Sequence, residues 1–267
     1  MKIGTCNKVY KYDIYLNDNY QYLINVPIYE YDIKNAGFNL AKYYNLLDYK
    51  TLDMLEKMQK RERTIMIGKM MRDNNEFNRE LSDSFELIRK KFVNKNNIID
   101  DEILSIKKDA IFIIDRKCVC YKFKNVEFVC KNKYTSFHRF GNIELYYNST
   151  TNDLDVKGIN NENLYKHEFM ITVLKNIFKL CELKDVDRLT SYIKRFVTAY
   201  KNRDIDPAVY RQFNSASSFI IKSLSGNSCE FGLDSLYNYK ITDIDISYNY
   251  MNIILPILQR YYYCDFK

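Results

Sequence analysis

Ile28–Leu47 reads IYEYDIKNAGFNLAKYYNLL, and the order of residue types in it decides the fold class. The opening IYEYDI is β-branched and aromatic, as a strand requires, and it ends at the acidic Asp32. Beyond it the apolar positions Leu40, Tyr43, Tyr44, Leu47, Leu52, Leu55 and Met58 recur at helical spacing, with an interruption near Asp48. A strand that ends in an acid and runs into a helix brings a carboxylate to the edge of a sheet. A second such acid stands in SIKKDAIFII, Ser105–Ile114, where Asp109 lies near the bend of an expected hairpin.

Outward from these two stretches the chain alternates strands and helices. The opening VYKYDIYL-NDN-YQYLINV has a polar centre and reads as a β-hairpin leading into IYEYDI. Phe77, Leu81, Phe85, Ile88 and Phe92 step by three and four, which places them on one face of a long helix. Strand signals follow in ILSIKKDAIFII, CVCYKF, VEFVCK, IELYY and LDVKGI, separated by Asn- and Lys-rich turns. Helical spacing then returns over Leu164–Leu183, Val186–Lys201 and Ile246–Tyr263, with Pro207 beginning a short helix. The fold class read from this order is α+β: a mixed region over 1–160, then a mainly helical one over 161–267.

Composition narrows the function. Among 267 residues, 46% are hydrophobic and only 7 are Gly and 3 Pro, which excludes a fibrous or disordered chain. No apolar run reaches membrane-spanning length, and MKIGTCNKVYKYD lacks the apolar core of a secretory signal, so the expected location is cytoplasmic, without a membrane. The 7 Cys form no CxxC pair and the 2 His have no metal-ligand pattern around them, so a zinc site is not expected. Cys118 and Cys120, two apart in an expected strand, should share a face as small hydrophobes. A net charge of +7 suits a polyanion, although a chain this rich in Lys, Asn, Ile and Tyr gains Lys whatever its function.

Asp32 and Asp109 suggest a specific chemistry. Nucleotidyl transfer with two metal ions needs carboxylates from different strands to meet, with the ions about 4 Å apart between the attacking and leaving oxygens. Acids after strands are common, so spacing alone leaves the reading of two solvated carboxylates open. Lys60, Arg61, Arg63, Lys69 and Arg72 in KRERTIMIGKMMRDN could grip a triphosphate, and a solvated charged face is the plain alternative.

From about Ile28 to its end the chain resembles the family B DNA polymerases. IYEYDIKNAGFNLAKYYNLL is similar to that family's motif A, with Asp32 at the metal-ligand position. SIKKDAIFII resembles motif C, with Asp109 on its second Asp and Lys107 replacing the first. VEFVCKNKYTS resembles the Lys-Lys-Arg-Tyr segment, LDVKGI the Lys-Gly-Ile link into the thumb, and DIDISYNYMNIILPILQRYYY the terminal helix. The resemblance implies a palm-like antiparallel sheet over 1–160, with reduced fingers at about 40–97, and a thumb-like helical subdomain over 161–267. It implies two Mg2+ or Mn2+ ions on Asp32 and Asp109, with Ile33 in the metal set. Asn35, Ala36, Gly37, Phe38, Arg63, Lys69 and Arg72 would then bind nucleotide, and Lys131, Lys133, Tyr134 and Lys157 would bind primer-template DNA.

The departures bear on function as well. Asp32 lies so near the start that the family's N-terminal and exonuclease domains are expected to be absent. The Lys-Asn-Tyr-Gly fingers motif is not intact, and RTIMIG resembles instead a family A fingers string with Arg63 in the Lys position. Gly37 and Phe38 stand where a Tyr normally excludes the 2′-hydroxyl. The expected function is a DNA polymerase-like nucleotidyltransferase extending a primer with nucleoside triphosphates. The alternatives are an inactive polymerase-derived scaffold that holds nucleic acid or a replication partner, and one subunit of a split polymerase. The AT-rich residue usage fits a protein of a phage or a mobile element; if phage-encoded, it would work in the host cytoplasm.

Overall fold

The computed structural model describes residues 9–140, 143–158, 168–202, 204, 212–213, 218–222 and 228–232. Among them the protein is α+β, with antiparallel strands and six α-helices. Its contacts form two units. One comprises the residues up to Tyr20 and Val26–Tyr134, the other Gln21–Asn25 and the chain from Thr135 onward. The strands β2 (Tyr22–Ile33) and β6 (Val126–Phe140) contribute residues to both.

The sheet of the first unit runs in the order β1 (Ile14–Leu16), β3 (Ile103–Lys107), β4 (Ala110–Ile114), β2, β6, with β5 (Tyr121–Phe123) paired to β6. The expected opening hairpin is corrected here, because β1 pairs antiparallel with β3, Ile14 opposite Lys107. The reason lies in Asn17, which is buried and gives its main-chain N–H to Leu104 O (2.9 Å) and its Nδ2 to Ile103 O (3.1 Å). Those bonds commit the polar turn to β3. The next strand is also longer than expected, since IYEYDI is the second half of β2.

Four helices separate β2 from β3: α1 (Ala36–Tyr43), α2 (Tyr49–Lys57), α3 (Lys60–Asp73) and α4 (Asn75–Asn96). The interruption near Asp48 is a helix start, where the Asp48 carboxylate accepts from Thr51 N (2.9 Å) and Thr51 Oγ1 (2.7 Å). The Asn74 side chain caps α4 in the same way, accepting from Glu76 N and Phe77 N at 3.0 Å each. Phe77, Leu81, Phe85, Ile88 and Phe92 are all buried on one face of α4, as their spacing requires. Each such side chain contributes about 1.5–3 kcal/mol on burial. Phe92 stacks on Phe128 of β6 at 4.4 Å and meets Tyr31 of β2 at 5.2 Å, so this face seals the sheet.

Cys118 and Cys120 do not share a face. They lie in an irregular stretch, with Cys118 buried and Cys120 exposed. The Tyr31 hydroxyl holds that stretch, donating to Cys118 O (3.0 Å) and accepting from Cys118 N (2.7 Å).

In the second unit β6 continues to β7 (Ile143–Asn148) and β8 (Asp153–Lys157), followed by α5 (Glu168–Glu182) and α6 (Val186–Asn202). Tyr147 of β7 stacks on Phe178 of α5 at 5.3 Å. Glu182 at the end of α5 accepts from both Thr135 Oγ1 and Ser136 Oγ at 2.5 Å, and Asn25 Nδ2 donates to its main-chain oxygen at 2.8 Å. After α6 come three antiparallel strands that the sequence reading did not include: β9 (Gln212–Phe213), β10 (Ser218–Lys222) and β11 (Ser228–Gly232). The helices expected at Pro207 and over Ile246–Tyr263 lie outside the described residues. Among the described residues no helix is long and apolar enough to cross a membrane.

Candidate active site

Asp32 and Asp109 are brought together by the register of two antiparallel strands. Asp32 of β2 pairs with Ala110 of β4, and Ile33 N donates to Asp109 O at 3.2 Å. Asp109 follows Lys108, whose positive φ of 52° makes the tight turn between β3 and β4. Two partners hold that turn. Lys108 N donates to Asp13 O at 2.6 Å, and Arg89 Nη1 donates to Lys108 O at 2.5 Å. Arg89 of α4 is fully buried, and its other donors reach Tyr10 O (2.8 Å) and Asp13 Oδ1 (3.0 Å). Burial lowers the Arg89 pKa and the Asp13 carboxylate works against that shift.

The two carboxylates line a cavity of about 430 Å³ in the first unit. Facing them, α3 contributes Lys60, Arg63, Thr64, Ile67, Gly68 and Met71, a stripe with helical spacing. The expected nucleotide ligand Arg63 is on this stripe. Lys69 and Arg72 are not, since a helix turns about 100° per residue and carries them to other faces. Arg72 pairs instead with Asp73 at 3.4 Å in solvent.

The start of α1 supplies Asn35, Ala36, Gly37 and Phe38 to the same cavity, beside Ile33. Asn35 turns the chain out of β2 with a left-handed φ of 45°. Gly37 marks the close approach of α1 to α3, because a Cβ there would stand 3.2 Å from Ile67 Cγ2. Phe38 is buried, and the Arg63 guanidinium lies over its ring at 4.7 Å.

The acids carry an unequal load. Asp32 Oδ2 accepts from Lys131 Nζ at 2.9 Å, while its Oδ1 is buried with no hydrogen-bond partner among the described residues. Burial, and then the charge of Asp32, raise the Asp109 pKa from its ordinary carboxylate value. Partial burial works to lower the Lys131 pKa; its hydrogen bond to Asp32, with the charges of Asp32, Glu30 and Asp109, outweighs this and raises it. Glu30, two residues before Asp32 and on the same face of β2, is buried and lies 3.8 Å from the same ammonium.

These groups fit a divalent cation. An unsatisfied buried carboxylate oxygen and a second carboxylate that resists ionisation are what a hard cation with oxygen ligands relieves. Among the described residues no cluster of three or more His, Cys, Asp or Glu is arranged to hold a metal, so the candidate is a pair of carboxylates.

The expected nucleic-acid ligands are distributed differently. Lys131 sits on Asp32, and Lys133 Nζ lies 5.7 Å from the Tyr29 ring. Tyr134 is corrected: it is 2% exposed and its hydroxyl donates to Glu30 Oε2 at 2.8 Å, so its ring presents no face to a ligand. Lys157 closes β8 in the second unit, opposite Glu144 of β7. Lys60, one of the cations expected to grip a triphosphate, lines the cavity as well, and two residues join the site that the sequence reading passed over: Lys108 and Glu30. The period of two along β2 could have indicated Glu30; the turn residue Lys108 had no comparable signal.

A family model described as Bacteriophage PBS1 gene 130 protein matches residues 4–261, so the chain belongs to that phage protein family. A search of curated proteins finds no match.

Proposed function

We propose that this member of a phage family is a metal-dependent nucleotidyltransferase with a palm-like first unit, which extends a nucleic-acid primer in the host cytoplasm. One observation carries the reading: Asp32 near the end of β2 and Asp109 in the turn before the neighbouring β4 share a cavity with the cationic stripe of α3. Carboxylates and cations facing each other across about 430 Å³ suit a nucleoside triphosphate with its metal ions.

In this reading Asp32 and Asp109, with Ile33 beside them, hold Mg2+ or Mn2+. When bound, the ions would lower the pKa of a primer 3′-hydroxyl and neutralise the departing pyrophosphate. Arg63 and Lys60 bind the triphosphate, and Lys108 adds a third cation on the strand side of the cavity. Phe38, held by Arg63, gives the sugar or base an apolar wall. Arg89 keeps the Asp109 turn in place.

The test is pyrophosphate release from primer-template DNA and deoxynucleoside triphosphates, with Mg2+ or Mn2+. The reading requires release that depends on metal and primer. A second reading, an inactive scaffold derived from such an enzyme, draws on Lys131 at 2.9 Å from Asp32 and on Lys107 in place of the first motif C acid. Absence of release with retained DNA binding would favour it.

A further inference from the structure

A second cluster stands apart from the cavity. Tyr43 and Tyr44 at the end of α1 meet edge to face at 4.6 Å, and Tyr43 meets Phe123 of β5 edge to face at 5.2 Å. Tyr121 stacks on Phe123 at 6.3 Å with only 7° between the ring planes. All four rings are half-buried, and none of them lines the cavity. Lys91 of α4 reaches over three of them, at 5.5 Å from Tyr43, 5.9 Å from Tyr44 and 4.4 Å from Phe123. Lys124, in the turn after β5, lies 5.6 Å from Tyr43. Neither lysine forms an ion pair among the described residues.

This combination is informative because its parts have different uses. Core aromatics need no ammonium groups above them, and a solvated lysine face needs no ordered rings beneath it. Rings at stacking and edge-to-face distances with lysines not tied to acids match a strand of bases on a phosphate backbone. An acidic peptide would use the lysines and leave the rings idle. At the patch the Tyr44 hydroxyl is buried and has no hydrogen-bond partner among the described residues.

We propose that Tyr43, Tyr44, Tyr121 and Phe123, with Lys91 and Lys124, form a binding surface for single-stranded nucleic acid. It extends the preceding reading, on whose nucleic-acid substrate it rests, but it requires neither metal nor catalysis. Bases stack against the exposed parts of the rings, and the two lysines neutralise the phosphates that link them.

The test uses the full chain with a fluorescent oligothymidylate longer than the ~4–16 nucleotides of a typical single-strand site. Binding is followed by anisotropy without divalent metal, and a 5-iodouracil version of the oligonucleotide is photocrosslinked and mapped by mass spectrometry. Lys91→Gln with Lys124→Gln leaves the rings in place, and should weaken binding at least tenfold and flatten the salt dependence by about 0.7 log-log units per lost contact. Crosslinks should fall on the four rings. Asp32→Asn and Asp109→Asn should bind as the unmodified protein does, so loss of pyrophosphate release in them counts on the catalytic reading alone. No binding, binding indifferent to the lysine changes, crosslinks confined to Phe38 and its neighbours, or equal displacement by polyglutamate would each overturn the proposal. The last would assign the patch to an acidic protein.

Discussion

The main-chain N–H of Ile33 donates to the main-chain oxygen of Asp109 over 3.2 Å, joining the end of β2 to the turn that precedes β4. The bond ties the residue after one candidate metal ligand to the other ligand itself. The carboxylates are therefore positioned by backbone geometry, and changes to their side chains should alter chemistry and charge while leaving the fold in place.

Arg89 is where the fold is expected to be sensitive. Its guanidinium is fully buried and satisfies Tyr10 O and Lys108 O as well as Asp13. Arg89→Met would leave those carbonyls without their donors, at about 1–3 kcal/mol for each buried group. Denaturant unfolding should show a loss of about 3 kcal/mol. A change within the error of the measurement would mean that the Lys108 turn does not depend on Arg89.

Asp109→Asn should raise the melting temperature near neutral pH in the absence of metal. Burial and the Asp32 charge raise the Asp109 pKa on folding, so the native state takes up this proton first. Ionisation of Asp109 therefore costs stability at pH above its raised value, and the cost disappears as pH falls through the ordinary carboxylate range. The Asn variant should gain about 2–4 °C per kcal/mol relieved, and the gain should vanish in acid. An equal gain at every pH would rule out charge as its origin.

The stripe on α3 separates cations that line the cavity from cations that do not, and the proposed function requires them to behave differently. Arg63→Ala and Lys60→Ala should each raise the KM for nucleotide by at least about tenfold, the effect of losing one hydrogen bond to a charged group. Lys69→Ala and Arg72→Ala should stay within about twofold, a difference of about 0.4 kcal/mol. Equal effects at all four would mean that the phase of the helix does not matter.

Gly37 lies where α1 approaches α3 closely, and a side chain there would meet Ile67. Gly37→Tyr should cost about 1–3 kcal/mol by overpacking, and Ile67→Ala in the same chain should restore part of it. With no side chain at that position to strike a 2′-hydroxyl, ribonucleotides should enter within about tenfold of deoxynucleotides, roughly 1.4 kcal/mol of selectivity. Strong rejection of ribonucleotides would assign the gate to Phe38.

The sequence carried the elements more clearly than the way they face. Asp32 and Asp109 were readable because a strand ending in an acid and a hairpin with an acid at its bend are local patterns, and antiparallel pairing then brings them together. The face of α4 was readable because its five apolar positions keep helical phase over the whole helix. The choice among Lys60, Arg63, Lys69 and Arg72 was not, because charges on every side of a helix leave its phase undetermined until Gly37 and Ile67 fix the packing of α3. Tyr134 was misplaced for a related reason. Alternation along β6 decides which side chains turn inward, and only the buried Glu30 on the neighbouring strand shows that Tyr134 is one of them. The pairing of β1 with β3 was hidden because it depends on Asn17 meeting main-chain groups 86 residues away.

The most direct measurement is extension of a labelled primer by one nucleotide on a DNA template, with Mg2+ or Mn2+, comparing the unmodified protein with Asp32→Asn and Asp109→Asn. Loss of a metal-binding carboxylate should slow the reaction at least about a hundredfold, or about 2.7 kcal/mol in the barrier, while both variants stay folded and bind DNA. Extension at an unchanged rate by either variant, or none by the unmodified protein with either metal, would contradict the assignment of Asp32 and Asp109 as the centre of nucleotidyl transfer.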